Sequence, residues 1–481
     1  MEAEMQERKL FVAGQWRGTD DVMEVRAPGS GQVVARVHRA GPADIEDAIS
    51  AAQEAFQATR TLPTWRRTEI LTKIVEGISR RREELVRVLA LEAGKPVKAG
   101  RVEVERAIFT FGVAAEEARR IAGEVFPMDL APWGADRVGI VRRFPIGPIS
   151  GIVPFNFPLN LTAHKVAPCI AAGNTMVLKP ASQTPSAALV LAEIASEAGL
   201  PPGALSVTPA GVETAESLIT DDRFKMLTFT GSAAVGWDLK RRAGKKRVTL
   251  ELGGNAAAIV HNDADIERAA DRITAGGYSY SGQSCISVQR ALVHRQIYDL
   301  FMEAFIPTVR ALKVGDPLDE STDVGPMITE KDAQRAATWV QEAVAGGARL
   351  VLGGEREGSV LKPTIVERVR PEMRISCQEV FAPVVAVTSY DTLDEALALV
   401  NDSPYGLQAG IFTRDAASVW KTFETLEVGG VMVDDVPTFR VDHMPYGGVK
   451  DSGFGREGLK YAIEEMTEIR IMGWHIGRSP A

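Results

Sequence analysis

The chain has 481 residues, 45% hydrophobic and 25% charged, with a formal net charge of −8 and a mean hydropathy of −0.03. That length exceeds what one hydrophobic core usually serves, so two or more domains are expected, and the composition excludes extended disorder. The acidic balance gives no electrostatic reason to expect a nucleic-acid partner, and no run of ~18 apolar residues is present to cross a membrane.

From Gly41 onward the pattern is helical: Ala43 and Asp44 open a stretch that places Ile45, Ala48, Ile49, Ala52 and Phe56 on one face. Two further amphipathic helices are predicted, over residues 65–91 and 97–122. Strands are predicted over 139–144 and 150–153, separated by Pro145, Gly147 and Pro148. Strand and helix then alternate: strand 175–178, helix 186–198, strand 205–208, helix 213–219 and strand 226–230. Alternation at this length predicts a parallel sheet covered by helices. The basic run from Lys240 to Arg247 reads as a solvated helix end and its following turn, where cations are favoured. A second alternating section follows Glu251, with strand 256–260, helix 266–275 and strand 291–293. The last apolar segment, 467–474, reads as a strand that pairs with the loop and strand of 123–144, or with another subunit, because an exposed edge is hazardous.

The cysteines, Cys169, Cys285 and Cys377, are too few and too scattered for a disulfide framework, which fits a reducing, cytoplasmic setting. The stretch Met1–Leu10 mixes acids and bases without an apolar centre, so no secretion signal is expected. Cys169 and Cys377 are read as packing residues. Cys285 differs: it lies in Ser281-Gly282-Gln283-Ser284-Cys285, where glycine and polar neighbours suggest a turn that exposes the thiol. Asn156, within Pro154-Phe155-Asn156-Phe157-Pro158, offers a carboxamide for an oxyanion. Glu251, within Leu250-Glu251-Leu252-Gly253-Gly254, offers a carboxylate to activate water. Gly231 and Ser232 follow a predicted strand and open a helix, so backbone N–H groups and a hydroxyl are available to a pyrophosphate; the usual GxGxxG spacing is absent. Lys179 ends another strand at the sheet edge where ligands sit. With six histidines, no HExxH and no paired CxxC, no metal is called for.

PFNFP, LKPASQTP, FTGSAAVG, LELGG, SGQSC, Glu379-Val380-Phe381-Ala382-Pro383 and PYGG occur in the order, and near the spacing, of the aldehyde dehydrogenase superfamily. The chain resembles that superfamily over nearly its whole length. The resemblance implies an α/β fold with a Rossmann-type cofactor domain (1–122 and 146–250), an α/β catalytic domain (251–447) and a small oligomerisation sheet (123–145 and 448–481), assembled as a homodimer or homotetramer. It implies Cys285 as nucleophile, Asn156 as oxyanion donor and Glu251 as the base that hydrolyses a thioester; relatives that release the acyl group to coenzyme A tend to lack this glutamate. It assigns Lys179 to the adenosine ribose, Ser232 to the pyrophosphate, and Glu379 with Phe381 to the nicotinamide ribose and ring. Members preferring NAD often carry glutamate where this chain has Ser182, so NADP is expected to be accepted and even preferred over NAD.

For the substrate, residues 436–445 are similar to the lactaldehyde and phosphonoacetaldehyde dehydrogenase branch. His164 and Ser279 stand where succinic semialdehyde enzymes tend to have arginine, which argues against that aldehyde. Arg440 is expected to face the far end of a small polar or anionic aldehyde, with Arg106 and His164 beside it, since a guanidinium fork suits phosphonate, sulfonate, phosphate or carboxylate. The alternatives are a structural salt bridge for Arg440 and a solvated helix position for Arg106. Two other functions stay open: a cysteine hydrolase, which needs a histidine base near the thiol, and a non-catalytic binding protein on the same fold.

Overall fold

The computed structural model describes residues 6–477; part of the Met1–Leu10 stretch and the last residues of the 448–481 segment lie outside it. An eight-stranded sheet is built on five parallel strands. In spatial order these are Arg247–Glu251, Met226–Thr230, Pro148–Ile152, Thr175–Lys179 and Leu205–Val207. The helices Pro42–Thr59, Asn160–Ala172 and Ser186–Glu197 pack on it, burying Ile149, Val177, Leu178 and Leu227 completely. Chain order reverses between Pro148–Ile152 and Met226–Thr230. The crevice at that switch point, outside the carboxyl ends of the strands, is where open α/β sheets bind ligands.

Residues at both extremes of the chain complete this sheet. Leu10–Val12 and Gln15–Arg17 form a hairpin on one edge, and Gly453–Phe454 pairs antiparallel with Leu250 and Glu251 on the other. The segment 448–481 is therefore not one unit. Residues 453–454 join the cofactor-side sheet and the helix Leu459–Glu465 packs on Asn160–Ala172, because Leu459 and Ile463 are buried in that core. Only Thr467–His475 pairs with Arg137–Pro145, which in turn pairs with Glu124–Pro127. This three-stranded sheet leaves Ile469, Ile471 and Trp474 more than half exposed.

The second large sheet orders Arg349–Leu352, Thr364–Glu367, Val384–Tyr390, Arg290–His294, Ala257–Val260, Gln408–Phe412 and Gly430–Val433, parallel except for the first. Near-continuous apolar strands such as Ala257–Val260 are buried on both faces, as a covered parallel sheet requires.

Two helices differ from the expectation. The predicted helix 65–91 is two, Thr64–Arg80 and Arg82–Ala93. They break at Arg81, which leaves helical geometry (φ −100°, ψ 20°) and whose guanidinium is taken up by Glu84 and Glu193. The predicted helix 213–219 shrinks to Glu216–Thr220; Val212 just before it is 86% exposed, and Glu213 and Thr214 bring no apolar side chain to bury.

Candidate active site

Cys285 lies in the turn between the helix Ile266–Tyr278 and the strand Arg290–His294. Ahead of it Tyr280 and Ser281 take left-handed backbone angles, φ 50° and 56°, which are uncommon without glycine and persist only when the surroundings enforce them. The enforcing bonds are present: Tyr280 OH donates to Ala93 O (2.9 Å), Ser281 Oγ to Gly325 O (2.7 Å), and Gln283 Oε1 accepts Ile328 N–H (2.8 Å). Gly282 (φ 66°) passes so close to Ala382 O that a Cβ would lie 2.1 Å from it. These contacts hold the half-buried thiol against a cavity of about 460 Å³.

The cavity lies where the two large sheets meet. Asn156 and Ser232 follow the carboxyl ends of the strands flanking the switch point, while Cys285, Glu379 and Phe381 precede the amino ends of catalytic strands. Asn156 Nδ2 donates to Gln283 O (3.1 Å), in the turn that carries Cys285. The Asn156 carbonyl accepts from Lys95 Nζ (2.7 Å), a fully buried ammonium that also pairs with Glu103. Burial lowers the Lys95 pKa to about 8. Glu103 in turn accepts from the N–H groups of Leu159 and Asn160 at the start of the helix that follows.

Glu251 ends its strand at 3% exposure, and neither carboxyl oxygen has a hydrogen-bond partner among the described residues. Burial, reinforced by nearby Glu457, raises its pKa well above the usual carboxylate range, against the pull of Arg440 and Lys165. A carboxyl with a raised pKa is the stronger base once ionised, and must give up its own proton before it can take one from water. Burial also pushes the Cys285 thiol up to about 11, and Glu379 and Glu251 push the same way; a hydrogen bond from Tyr446 and the charge of Arg440 oppose them. The thiol's partner is thus Tyr446 OH, at 3.1 Å, and not an imidazole, which removes the base a cysteine hydrolase needs.

In the same cavity the Arg440 side chain is 6% exposed; one nitrogen is 3.2 Å from His164 Nε2 and 3.3 Å from Glu457 Oε2, and its carbon stacks 3.6 Å above the Tyr446 ring. Its Nε is buried without a hydrogen-bond partner among the described residues, and Asp442 Oδ1 lies 3.9 Å away. Arg106 also lines the cavity, but Asp442 holds it by two bonds, 3.0 and 2.6 Å. His164 does not line the cavity: it is 2% exposed behind Arg440 and 2.8 Å from Asp442, so its expected place in the tunnel is corrected to a supporting one. Burial and Arg440 lower the His164 pKa against the pull of Asp442 and Glu457; Arg106 and, at 3.9 Å, the Arg440 Nε are the guanidinium partners of Asp442. Burial disfavours ionised Glu457, yet Lys165, 3.3 Å away, and Arg440 bring its pKa down to about 2. On the cavity itself Arg106 and Arg440 stand beside Glu457 and Glu251, with Lys165 and Asp442 behind them. The Arg440 Nε, which makes no hydrogen bond among the described residues, is the cationic N–H left to an anion.

Gly231, Ser232, Glu379 and Phe381 also line the cavity. Ser232 is the N-cap of the helix Ala233–Arg242 and its side chain makes no capping bond, which leaves hydroxyl and helix end available to a phosphate. Glu379 accepts from Gly254 N–H (3.0 Å), and burial raises its carboxyl to about 7. Phe381 takes φ 51° and meets Phe155 edge-on, ring centres 6.0 Å apart. These residues fit a dinucleotide. Lys179 and Ser182 stand outside the cavity, on the same sheet end: Lys179 O accepts from Val153 N–H (3.1 Å) and Ser182 is exposed in the next turn. Ser279 lines the cavity; Cys169 is buried and Cys377 is half-buried outside it. Among the described residues no histidine, cysteine and carboxylate group is arranged to hold a metal ion, and no helix is long and apolar enough to cross a membrane.

Sequence reasoning missed Tyr446, Asp442, Glu457, Lys165 and the Lys95–Glu103 pair as parts of the site. Tyr446 lay inside a quoted motif, but nothing in spacing places its hydroxyl on the thiol.

The aldehyde dehydrogenase family matches residues 16–472. The 3-sulfolactaldehyde dehydrogenase of Priestia aryabhattai is 47% identical over 464 residues, 96% of this chain and 97% of that protein. Aldehyde dehydrogenase 21 from Physcomitrella patens, solved with the reaction product succinate, superposes with a TM-score of 0.96 at 45% identity, covering 98% of this chain and 99% of that one. A glyceraldehyde-3-phosphate dehydrogenase from Methanocaldococcus jannaschii, complexed with NADP, gives 0.91 at 39%, covering 95% and 100%. The chain belongs to the aldehyde dehydrogenase family. It is an enzyme that oxidises aldehydes, of a family with NAD(P)-dependent members.

Proposed function

We propose that the substrate is a small anionic aldehyde, carrying sulfonate, phosphonate, phosphate or carboxylate at its far end, with lactaldehyde as the polar neutral case. The observation that carries this is the buried guanidinium of Arg440, whose Nε makes no hydrogen bond among the described residues, in the same cavity as Cys285. The 3-sulfolactaldehyde relative and the succinate-bound relative support an anionic far end; the second brings succinic semialdehyde back among the aldehydes to test.

In this reading Cys285, as thiolate, adds to the aldehyde carbon, and the Asn156 amide with the Cys285 N–H holds the resulting oxyanion. The nicotinamide, when bound, supplies the acceptor for the aldehyde's hydrogen and its electron pair. The thioester left on Cys285 is hydrolysed by water from which Glu251 takes a proton, releasing the carboxylic acid and the free thiol. Glu379 and Phe381 orient the nicotinamide end, Gly231 and Ser232 the pyrophosphate, and Lys179 and Ser182 the adenosine end, where a neutral serine admits NADP as well as NAD. The terminal three-stranded sheet, with its exposed apolar strand Thr467–His475, serves a homodimer or homotetramer, and the enzyme works in the cytoplasm.

The test is formation of reduced cofactor with NAD and NADP separately, across neutral, carboxylated, phosphorylated, phosphonated and sulfonated aldehydes, with Cys285→Ala as the inactive control. Preference for an anionic aldehyde is expected. Preference for neutral aldehydes would return Arg440 to a purely structural salt bridge.

A further inference from the structure

The chemistry above gives no task to Tyr446, although its hydroxyl lies 3.1 Å from Cys285 Sγ. Three constraints aim that hydroxyl. The Tyr446 backbone is clamped to Glu457 by a pair of hydrogen bonds, 3.1 and 2.6 Å. The ring, 3% exposed, packs with Ile286 and Leu407. Its face is covered by the Arg440 guanidinium at 3.6 Å. Among the described residues the hydroxyl has no other hydrogen-bond partner than the sulfur. A phenol is a good donor and a thiol a poor one, so the phenol donates. Phenylalanine would satisfy the packing and the stacking equally well; the oxygen is accounted for only by the sulfur.

We infer that Tyr446 is a positioning residue for the nucleophile: its hydroxyl donates to Cys285 Sγ, fixes the direction of the sulfur and stabilises its anion, while Arg440 on the ring makes the phenol a stronger donor. The inference rests on Cys285 being the nucleophile. The need for such a donor is plain from what else faces the sulfur. Burial disfavours the thiolate, ionised Glu379 or Glu251 would disfavour it further, and Tyr446 and Arg440 are the groups that act the other way. Arg440 thereby has two tasks, holding the far end of the aldehyde and, through one aromatic ring, favouring the thiolate.

Tyr446→Phe keeps the ring and removes the hydroxyl. The readout is the pH dependence of Cys285 alkylation by iodoacetamide in the full-length enzyme, with mass spectrometry assigning label to Cys285 apart from Cys169 and Cys377. A hydrogen bond to a charged group predicts a profile displaced upward by about one pH unit, and alkylation slowed about tenfold at neutral pH. Superimposable profiles overturn the inference. A monofluorinated tyrosine at position 446, a stronger donor with the same shape, is expected to move the profile the opposite way; no movement overturns it equally, even if the phenylalanine variant folds poorly. Alkylation needs no turnover, so a Cys285 that is not the nucleophile shows itself separately, as activity retained in Cys285→Ala.

Discussion

The adjacent glycines Gly253 and Gly254 make a paired prediction, because the same added methyl group meets two different obstacles. A Cβ on Gly254 would lie 2.3 Å from the main-chain oxygen of Cys285, and one on Gly253 would lie 2.2 Å from Oε2 of Glu379. Restoring ordinary contact in either case takes a shift of about 1 Å. In Gly254→Ala the shift falls on the backbone of Cys285, the proposed nucleophile, in a turn already tied down through Tyr280, Ser281 and Gln283. A displacement of about 1 Å at a reacting group costs on the order of 10²-fold in rate. In Gly253→Ala the obstacle is the end of a side chain, which can rotate aside; cofactor KM is expected to rise several-fold while the rate at saturating cofactor stays within about threefold. The assay is the pre-steady-state burst of reduced cofactor with both substrates saturating, beside a thermal melt to show that each variant is folded. A Gly254→Ala burst within about twofold of wild type would refute the claim that this approach positions the nucleophile. So would an equal burst loss in both variants.

Other predictions follow from the same cavity. Glu251→Gln is expected to give one burst of reduced cofactor per site and then a steady rate lower by ~10²–10⁴; unchanged turnover means another group activates the water. Because the folded-state pKa of Glu251 is raised above 4.5, the native protein keeps this proton where the unfolded chain has lost it, so stability falls as pH rises from 4.5 toward the folded value. Gln removes that loss, and the variant should melt no lower than wild type at pH 8; a lower melting temperature there contradicts the assignment. Arg440→Lys keeps a charge but loses the planar fork, which should raise KM for an anionic aldehyde about tenfold and leave a neutral one little changed. Equal rises in KM for both aldehydes would mark a packing role instead, whereas an equal fall in kcat reflects the lost contact with the Tyr446 ring. Ser182→Glu introduces a carboxylate that repels a 2′-phosphate, and the ratio of kcat/KM for NAD over NADP should rise about tenfold; an unmoved ratio would place the adenosine end elsewhere.

Much of the architecture is legible locally. The strands Thr175–Lys179 and Met226–Thr230 and the helix Ser186–Glu197 follow from runs and periodicities spanning a dozen residues or fewer, since burial on a regular backbone repeats regularly. The break at Arg81 was not legible: the apolar spacing runs through it, and the side chain that anchors the bend pairs with Glu193 on a different helix. The split fate of residues 448–481 was hidden for a related reason. Gly453–Phe454 carries little pattern of its own and becomes a strand only because the edge at Leu250 and Glu251 needs a partner.

The site divides the same way. Cys285, Asn156, Glu251 and Ser232 stand in short glycine- and proline-marked segments whose residue types suggest chemistry, Glu379 is reached through the resemblance of its segment to the family, and the cavity contains all five. What the sequence could not determine is which groups share charge and protons. Tyr446 meets Cys285 across 161 residues of chain, and His164 meets Asp442 across 278. Whether Arg440 is a free fork or a paired one, and whether Glu251 rests neutral, depend on distances of a few ångströms and on exclusion of water. Those quantities exist only once the two sheets and the loop carrying Arg440, Asp442 and Tyr446 have packed together, because desolvation and Coulomb energy are properties of the assembled surroundings and not of the chain order.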